Sequence, residues 1–230
     1  EDRGTLETIH TRRSVRAFAE RRISEEERSA ILDAMRRAPT AGNMMLYSVI
    51  EVHSPETKAR LSESCDHQPW IATAPMVLIF LADYQRWMDY FEGFGAPEAA
   101  RAVGVAPRDP GLGDLFLAAS DALIAAQTAV LAAEAVGLAS CYVGDILENY
   151  ELHRELLQLP PLAMPITMLC LGHPMGDSSR RPLTPRLPEE AVVFVDSYRR
   201  LSAEEIDAAF EPHRKQQFSS GAYMDGAENL

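Results

Sequence analysis

The chain has 230 residues, of which 47% are hydrophobic and 24% charged, and its formal net charge is −12. These values are typical of a globular domain and exclude a disordered or collagen-like chain. The acidic balance argues against general binding to nucleic acid or to an anionic membrane. The three scattered cysteines form no C-x-x-C pair, which argues against a disulfide framework. This pattern predicts that the protein is located in the reducing cytoplasm.

The first third of the chain predicts alternating helices and strands. Ser24 begins a capping pattern in which Glu27, three residues later, can reach back to the serine backbone. An unbroken apolar run at 76–82 predicts a buried strand. The elements predicted before that strand are helices at 5–13, 24–38 and 55–65 and a strand at 46–53.

The middle of the chain combines a variable segment with a long apolar helix. Residues 83–113 begin with closely spaced aromatic side chains and become rich in Gly, Pro and Ala, which predicts a short helix and then a mobile segment. The aromatic cluster is consistent either with core packing or with a lid over a pocket. Residues 114–136 predict a helix buried on most of its circumference, and its charge-free run of twelve residues, 122–133, is too short to span a bilayer.

The last part of the chain predicts shorter elements. Strands are expected at 140–143 and 165–171, and helices at 150–159 and 202–210, with a Pro- and Arg-rich loop between 173 and 190. We find no internal repeat and no linker, so one α+β domain over 1–211 is expected. The polar tail, 212–230, is expected either to fray or to lie over a partner subunit.

One cluster of residues indicates a binding site for an anion. Arg12, Arg13, Ser14 and Arg16 place three guanidinium groups and a hydroxyl within five residues, which suits a phosphate, although a solvated basic face would have the same composition. Complete fingerprints for a Rossmann site, a P-loop, a zinc protease and a serine hydrolase are missing from the sequence. The six histidines do not cluster, so we expect no metal site.

The arginine cluster is the first of several short motifs that follow one another along the chain. They are R-R-S-x-R at 12–16, A-P-T-A-G-N at 38–43, the stretch from Gln68 to Asp83, G-L-A-S-C-Y-V-G-D at 137–145, G-H-P at 172–174 and P-R-L-P at 185–188. This ordered set resembles the nitroreductase family of FMN-dependent oxidoreductases over about residues 5–195, most of the chain. The resemblance implies an α+β sandwich with a central, mainly antiparallel sheet flanked by helices, in an intertwined homodimer with FMN at the interface.

The resemblance also implies which residues contact the flavin. Arg12 and Arg16 would contact the phosphate and the pyrimidine side, and the segment after the second helix would reach the flavin from the other subunit. A weaker candidate for the second phosphate-binding arginine is Arg181. The cofactor-binding residues implied in this way are Arg12, Arg13, Ser14, Arg16, Pro39, Thr40, Ala41, Asn43, Gln68, Tyr142, Val143, Gly144, Asp145 and Arg186.

The sequence departs from the family pattern near the expected substrate pocket. Met45 stands where many relatives have a glutamine, so this wall of the pocket becomes apolar. A second departure concerns the phosphate. Thr184 precedes Pro185 where some relatives have a lysine, so the phosphate would depend on arginines alone. An aromatic acceptor could stack on the residues of the variable segment. The substrate-binding residues expected here are Met44, Met45, Trp87, Tyr90, Phe91 and Phe94.

The function implied by the resemblance is transfer of hydride from NAD(P)H through flavin N5 to a nitroaromatic, quinone or enone by a ping-pong mechanism. The flavin would supply the redox chemistry, so no catalytic side chain is expected. Two alternatives remain open. The first is the same fold with another flavin reaction, which could be reductive dehalogenation, oxygen-dependent flavin cleavage or a biosynthetic dehydrogenation. The second is a flavin-binding protein without turnover.

Overall fold

The computed structural model describes residues 4–176 and 182–220, which belong to two compact units divided after Ser178. Eight helices are described in the first unit: α1 (Thr5–Thr11), α2 (Glu25–Met35), α3 (Pro55–Ser64), α4 (Pro69–Thr73), α5 (Gln85–Gly93), α6 (Ala96–Ala102), α7 (Leu112–Ala135) and α8 (Tyr150–Leu156). Its strands are β1 (Tyr47–Glu51), β2 (Met76–Asp83), β3 (Ala139–Val143) and β4 (Ala163–Gly172). The second unit contains α9 (Ala203–Ser220) and a short 3-10 turn at Glu189–Ala191.

The four strands form one antiparallel sheet in the order β1-β2-β4-β3. Side chains alternate across β2 because successive residues of a strand face opposite sides. Leu78 and Phe80 join the core under α2 and α7. Val77 and Ile79 join a second core that includes Leu61 of α3 and residues of α4. Helices therefore cover both faces of the sheet, and the predicted α+β sandwich is confirmed.

The helix starts follow from local chemistry. Ser24 Oγ accepts a hydrogen bond from the backbone N–H of Glu27 at 3.1 Å, and Glu27 Oε2 accepts one from the N–H of Ser24 at 2.7 Å. This is the capping box that the sequence predicts for α2. Pro55 and Pro69 stand in the first turns of α3 and α4, where a missing N–H costs no helical hydrogen bond.

The stretch that we expected to be mobile and irregular instead contains α6. Gly95 adopts φ +71° at the start of this helix, and Pro97 lies in its first turn. Both residues therefore begin a helix, although Gly and Pro also mark loops. The last helix likewise continues to Ser220, beyond the predicted end at 210. Two ion pairs span Pro212, Arg214 to Asp207 at 3.0 Å and Lys215 to Glu211 at 2.9 Å, and help to offset its helix-breaking effect.

The long helix α7 packs against all four strands and against α2. By length and composition it is the one described helix that could cross a membrane, but in this fold eight of its residues are buried under the sheet. The prediction that it is buried on most of its circumference is wrong. Phe116, Leu117, Leu123 and Ile124 form an exposed apolar stripe, because the sheet covers only one side of the helix in a single chain.

Candidate functional site

The arginine-bearing segment after α1 lies beside the sheet. The backbone N–H of Val15 donates to the carbonyl of Ser140 in β3 at 2.9 Å, and the N–H of Ala19 donates to the carbonyl of His173 at 2.8 Å. Gly172 allows this close approach, because a Cβ at this position would lie 2.8 Å from the Phe18 ring. The motif at 12–16 is thus joined by a backbone hydrogen bond to the motif at 137–145. The residues just after it, Phe18 and Ala19, contact the motif at 172–174 by ring packing and by a second backbone hydrogen bond.

Two guanidinium groups of this segment are available for an anion. Arg12 is half-buried, and its Nε is buried without a hydrogen-bond partner in the described part of the chain. Arg16 is exposed, and its guanidinium lies 5.9 Å from the ring centroid of Trp70, a cation–π contact. Within residues 4–176 and 182–220, no ion pair with a carboxylate involves either side chain. Arg13 is different, since its Nη1 donates to the carbonyl of Thr11 at 2.6 Å.

The same two arginines are close enough to β3 to influence its titratable groups. Burial raises the pKa of the Cys141 thiol, and the positive charge of Arg16 partly opposes that rise. Burial also raises the pKa of Tyr142 to about 12, again with partial opposition from Arg12. Segment 12–16 and the end of β3 therefore form one electrostatically coupled region.

The turn after β3 is fixed from the direction of α3 and α4. Gln68 Nε2 donates to Asp145 Oδ2 and to the carbonyl of Cys65, both at 2.9 Å. The fully buried His153 lies 2.7 Å from Ser64 Oγ through Nε2 and 2.7 Å from the carbonyl of Ile146 through Nδ1. The backbone at 144–146 is thereby held against α3 from two sides.

The structure therefore brings three predicted site segments into one region. We call this region the β3-end cluster, and its residues are Arg12, Ser14, Arg16, Gln68, Tyr142, Val143, Gly144 and Asp145. Trp70, which contacts Arg16, was not among the predicted residues. An aromatic residue two positions after Gln68 was the available signal for it, but a tryptophan in a short helix most often packs in the core.

The predicted segment after α2, residues 39–45, is organised around a residue that we did not predict. Asp121 of α7 is 2% exposed, and its carboxylate accepts hydrogen bonds from the backbone N–H groups of Ala41 at 3.0 Å and Leu46 at 3.1 Å. Thr40 Oγ1 accepts from the N–H of Met45 at 3.1 Å. The signal in the sequence was an aspartate inside an otherwise apolar helix, which requires a hydrogen-bonding partner.

The predicted acceptor-binding aromatics form one connected cluster on α5 and at the residue that follows it. Trp87 contacts Tyr90 and Phe91 with ring centroids 5.7 and 5.5 Å apart, and Tyr90 contacts Phe94 at 4.6 Å. Trp87 Nε1 also donates to the carbonyl of Met44 at 2.8 Å. Trp87 packs against a small buried cluster, whereas Tyr90 and Phe94 are 52% and 76% exposed. The cluster thus extends from the core, beside segment 39–45, to the surface.

The predicted second phosphate-binding arginine lies in the second unit. Arg186 is exposed, and its Nη1 donates to Thr184 Oγ1 at 2.6 Å and to the carbonyl of Pro185 at 3.1 Å. Its contact with a cofactor stays a prediction. Arg181, the weaker candidate for the same role, lies outside the described residues.

Comparisons with known proteins identify the family of the chain. The model of the nitroreductase family matches residues 9–173. The chain belongs to that family. It is 31% identical over 211 residues to an FMN reductase [NAD(P)H] of Bacillus subtilis, an alignment that covers 92% of this chain and 80% of the relative.

Solved structures of family members have the same fold. Nitroreductase A of Vibrio parahaemolyticus superposes with a TM-score of 0.80 at 28% identity, over 94% of this chain and 85% of that one. The NADPH:FMN oxidoreductase of Vibrio harveyi, solved in complex with NAD⁺, superposes with a TM-score of 0.78 at 27% identity, over 98% and 93% of the two chains. The predicted family and fold are therefore confirmed.

Proposed function

We propose that this protein is an FMN-dependent oxidoreductase that transfers hydride from NAD(P)H to a planar conjugated acceptor. The observation that carries the proposal is the pair Arg12 and Arg16, which converge on the end of β3 without a carboxylate partner among the described residues. Family membership supports the proposal, as do the names of relatives, which include FMN reductase, NADPH-flavin oxidoreductase and oxygen-insensitive NADPH nitroreductase.

The residues present fit a flavin mononucleotide. Its phosphate needs cationic donors, and the orphaned, buried Nε of Arg12 is a donor that requires an acceptor. When bound, FMN supplies the hydride-transfer chemistry between the two substrates. The β3-end cluster would hold the cofactor together with Arg13, Arg186 and segment 39–43. Arg12 and Arg16 would also keep positive charge close to the reduced cofactor, which favours its negative charge.

No side chain near the site is needed as a nucleophile or a proton donor. Burial, reinforced by the carboxylate of Asp145, raises the pKa of Cys65 to about 12, so its thiol stays protonated at neutral pH. Cys141 is likewise held as a thiol by burial. Both ring nitrogens of His153 are occupied by neighbouring groups. Chemistry carried by the cofactor is consistent with titratable groups that are held in one state.

The acceptor pocket would be apolar and aromatic. Met44 and Met45 are flexible thioethers that adapt to different flat ligands, and the α5 aromatics Trp87, Tyr90, Phe91 and Phe94 offer ring faces and edges. These properties favour nitroaromatics, quinones, enones and free flavins over aliphatic or strongly charged acceptors. NAD(P)H and the acceptor would use this pocket in turn, which is a ping-pong scheme.

We propose that the working form is a homodimer. Leu6 of α1 and Phe116 of α7 are 72% and 69% exposed, and α1 lies against α7. Exposed apolar surface of this kind on a protein with a well-packed core marks an interaction site. A second copy that covers this face would also bring its segment 39–43 towards the β3-end cluster, as the family resemblance implies. We also propose that the tail, residues 212–230, contacts the partner in that dimer; its last part, residues 221–230, lies outside the described residues.

We also place the protein in the cytoplasm. Cys65, Cys141 and Cys170 are free and buried, although Cys141 and Cys170 are partners across adjacent strands. Unpaired cysteines of this kind are typical of proteins in reducing compartments.

The cofactor assignment can be tested by titrating the apoprotein with FMN and with riboflavin, with flavin fluorescence as the signal. If arginines hold the phosphate, FMN binds more tightly than riboflavin by about tenfold or more, since a charge-assisted hydrogen bond is worth about 1.5–3 kcal/mol. Equal affinities for the two ligands would contradict a phosphate site at Arg12 and Arg16.

A further inference from the structure

Asp121 is a carboxylate inside the apolar core helix α7. It is 2% exposed, and the buried alanines Ala118, Ala122 and Ala125 lie on the same side of the helix. A buried carboxylate is strongly destabilising unless hydrogen-bond donors surround it. The groups that donate hydrogen bonds to the Asp121 carboxylate therefore indicate its role.

Those donors come from the two ends of one short loop. Oδ1 accepts from the N–H of Ala41, and Oδ2 accepts from the N–H of Leu46. Between them lie residues 42–45, which include the predicted flavin contact Asn43 and the predicted acceptor contacts Met44 and Met45. One side chain thus holds both ends of the segment that would form the apolar wall of the site.

The loop has a backbone conformation that needs such restraint. Gly42, Asn43 and Met45 have φ values of +55°, +57° and +49°. The left-handed region is unfavourable for a residue with a side chain, and methionine cannot compensate with a local hydrogen bond as asparagine can. Conformations of this kind persist only where the surroundings fix them, and they are concentrated at functional sites.

We infer that Asp121 is a positioning residue for flavin and acceptor binding, acting through the backbone of residues 41–46. This inference rests on the proposed function and extends it to a residue in the middle of the core helix. Trp87, which donates to the carbonyl of Met44, connects the same loop to the aromatic cluster of α5. Loss of the carboxylate would therefore disturb both walls of the acceptor pocket.

The test compares Asp121→Asn with Val130→Ala. Asparagine keeps the shape of the Asp121 side chain but replaces one carboxylate oxygen by an NH2 group. That donor must then face the backbone N–H of Ala41 or Leu46, so one hydrogen bond to the loop is lost. Val130 is fully buried on the same helix, so its truncation weakens the core without removing a loop contact. Hydrogen exchange of residues 40–47 is measured in the flavin-free proteins, with β2 as the internal reference, and the Kd for FMN and the KM for a quinone are measured on the same preparations.

We expect D121N to accelerate exchange in residues 40–47 while β2 stays protected. The Kd for FMN and the KM for the quinone should rise about tenfold, with a smaller change in kcat. V130A should leave loop exchange and both constants near the wild-type values. Should D121N fail to fold, Asp121→Ser, which buries no amide donor, is expected to shift the same three quantities.

Two results would overturn the inference. One is faster exchange in the loop of D121N with unchanged Kd and KM, because the loop would then not position ligands. The other is equal behaviour of D121N and V130A, because the role of Asp121 would then be general stability. If the wild-type protein binds no FMN, the proposed function fails, whereas the exchange comparison still shows whether Asp121 holds the loop.

Discussion

The side-chain amide of Gln68 donates a 2.9 Å hydrogen bond to the carboxylate of Asp145, which joins two residues that are 77 positions apart in the chain. Gln68 precedes α4, and Asp145 follows β3, so the bond fixes the turn after β3 against the layer formed by α3 and α4. Both residues belong to segments that the sequence motifs assign to flavin binding. Folding of the sandwich therefore brings these two segments together.

Removal of Arg12 or Arg16, neither of which has a carboxylate partner among the described residues, should weaken FMN binding. Arg12→Ala and Arg16→Ala each remove a potential charge-assisted hydrogen bond, so the Kd for FMN should rise about 10- to 100-fold while the Kd for riboflavin changes little. Fluorescence titration of the apoproteins measures both constants. Arg60→Ala, which removes an exposed arginine on α3, is the control and should behave as wild type. Equal losses for FMN and riboflavin would show that the arginines do not bind the phosphate.

The exposed end of the aromatic cluster should set acceptor affinity. Phe94→Ala removes a side chain that is 76% exposed and contacts Tyr90, so it should raise the KM for a nitroaromatic about three- to tenfold, in line with the value of an aromatic contact. Flavin content and the melting temperature should stay unchanged. Val103→Ala, also 76% exposed and just after α6, is the matched control. An unchanged KM for the nitroaromatic would remove Phe94 from the acceptor site.

His153 should make stability depend on pH. Burial lowers the pKa of His153, and the hydrogen bond to Ile146 only partly opposes this. Below about pH 6.5 the unfolded chain binds a proton at this residue that the folded protein does not, so the free energy of unfolding falls by up to about 1.4 kcal/mol per pH unit until the folded pKa is reached. Denaturant unfolding at pH 7.5 and 5.5 should therefore show a larger loss for wild type than for His153→Asn. Equal losses would contradict a buried neutral imidazole.

The exposed stripe of α7 should hold two copies together. Phe116→Glu places a charge in the proposed interface, so the dimer Kd should rise about 30-fold or more, which corresponds to about 2 kcal/mol. Analytical ultracentrifugation measures this constant. Leu152→Glu, at an exposed apolar position on α8, is the control and should leave the dimer intact. A wild-type protein that sediments as a monomer would refute the proposed dimer.

Much of the fold follows from local patterns. The capping box at Ser24 and the apolar run of β2 predict α2 and β2 well because each signal lies within a few residues. Residues 96–102 were misinterpreted because Gly95 and Pro97 signal both a loop and a helix start. The exposed side of α7 could not be predicted, since an alanine-rich helix shows little contrast between its faces.

The candidate site likewise has residues that the sequence indicates and residues whose roles appear only in the folded structure. The arginine cluster was indicated by residue types that suit a phosphate, and the residues at the end of β3 by motifs that resemble those of the family. Their contacts with a flavin stay predictions. Asp121 and Trp70 could not be found in this way, because their roles depend on contacts with Ala41, Leu46 and Arg16 that arise only in the folded chain. The sequence showed Asp121 only as an interruption of an apolar stretch.

The most direct test of the central claim is an absorbance spectrum of the purified protein reconstituted with FMN, recorded before and after anaerobic addition of NADH or NADPH. We predict bound-flavin bands at about 370 and 450 nm, with loss of the 450 nm band on addition of either nicotinamide. Addition of a quinone should then restore the 450 nm band. A protein that retains no FMN, or whose bound FMN neither nicotinamide reduces, would contradict an NAD(P)H-dependent flavin oxidoreductase.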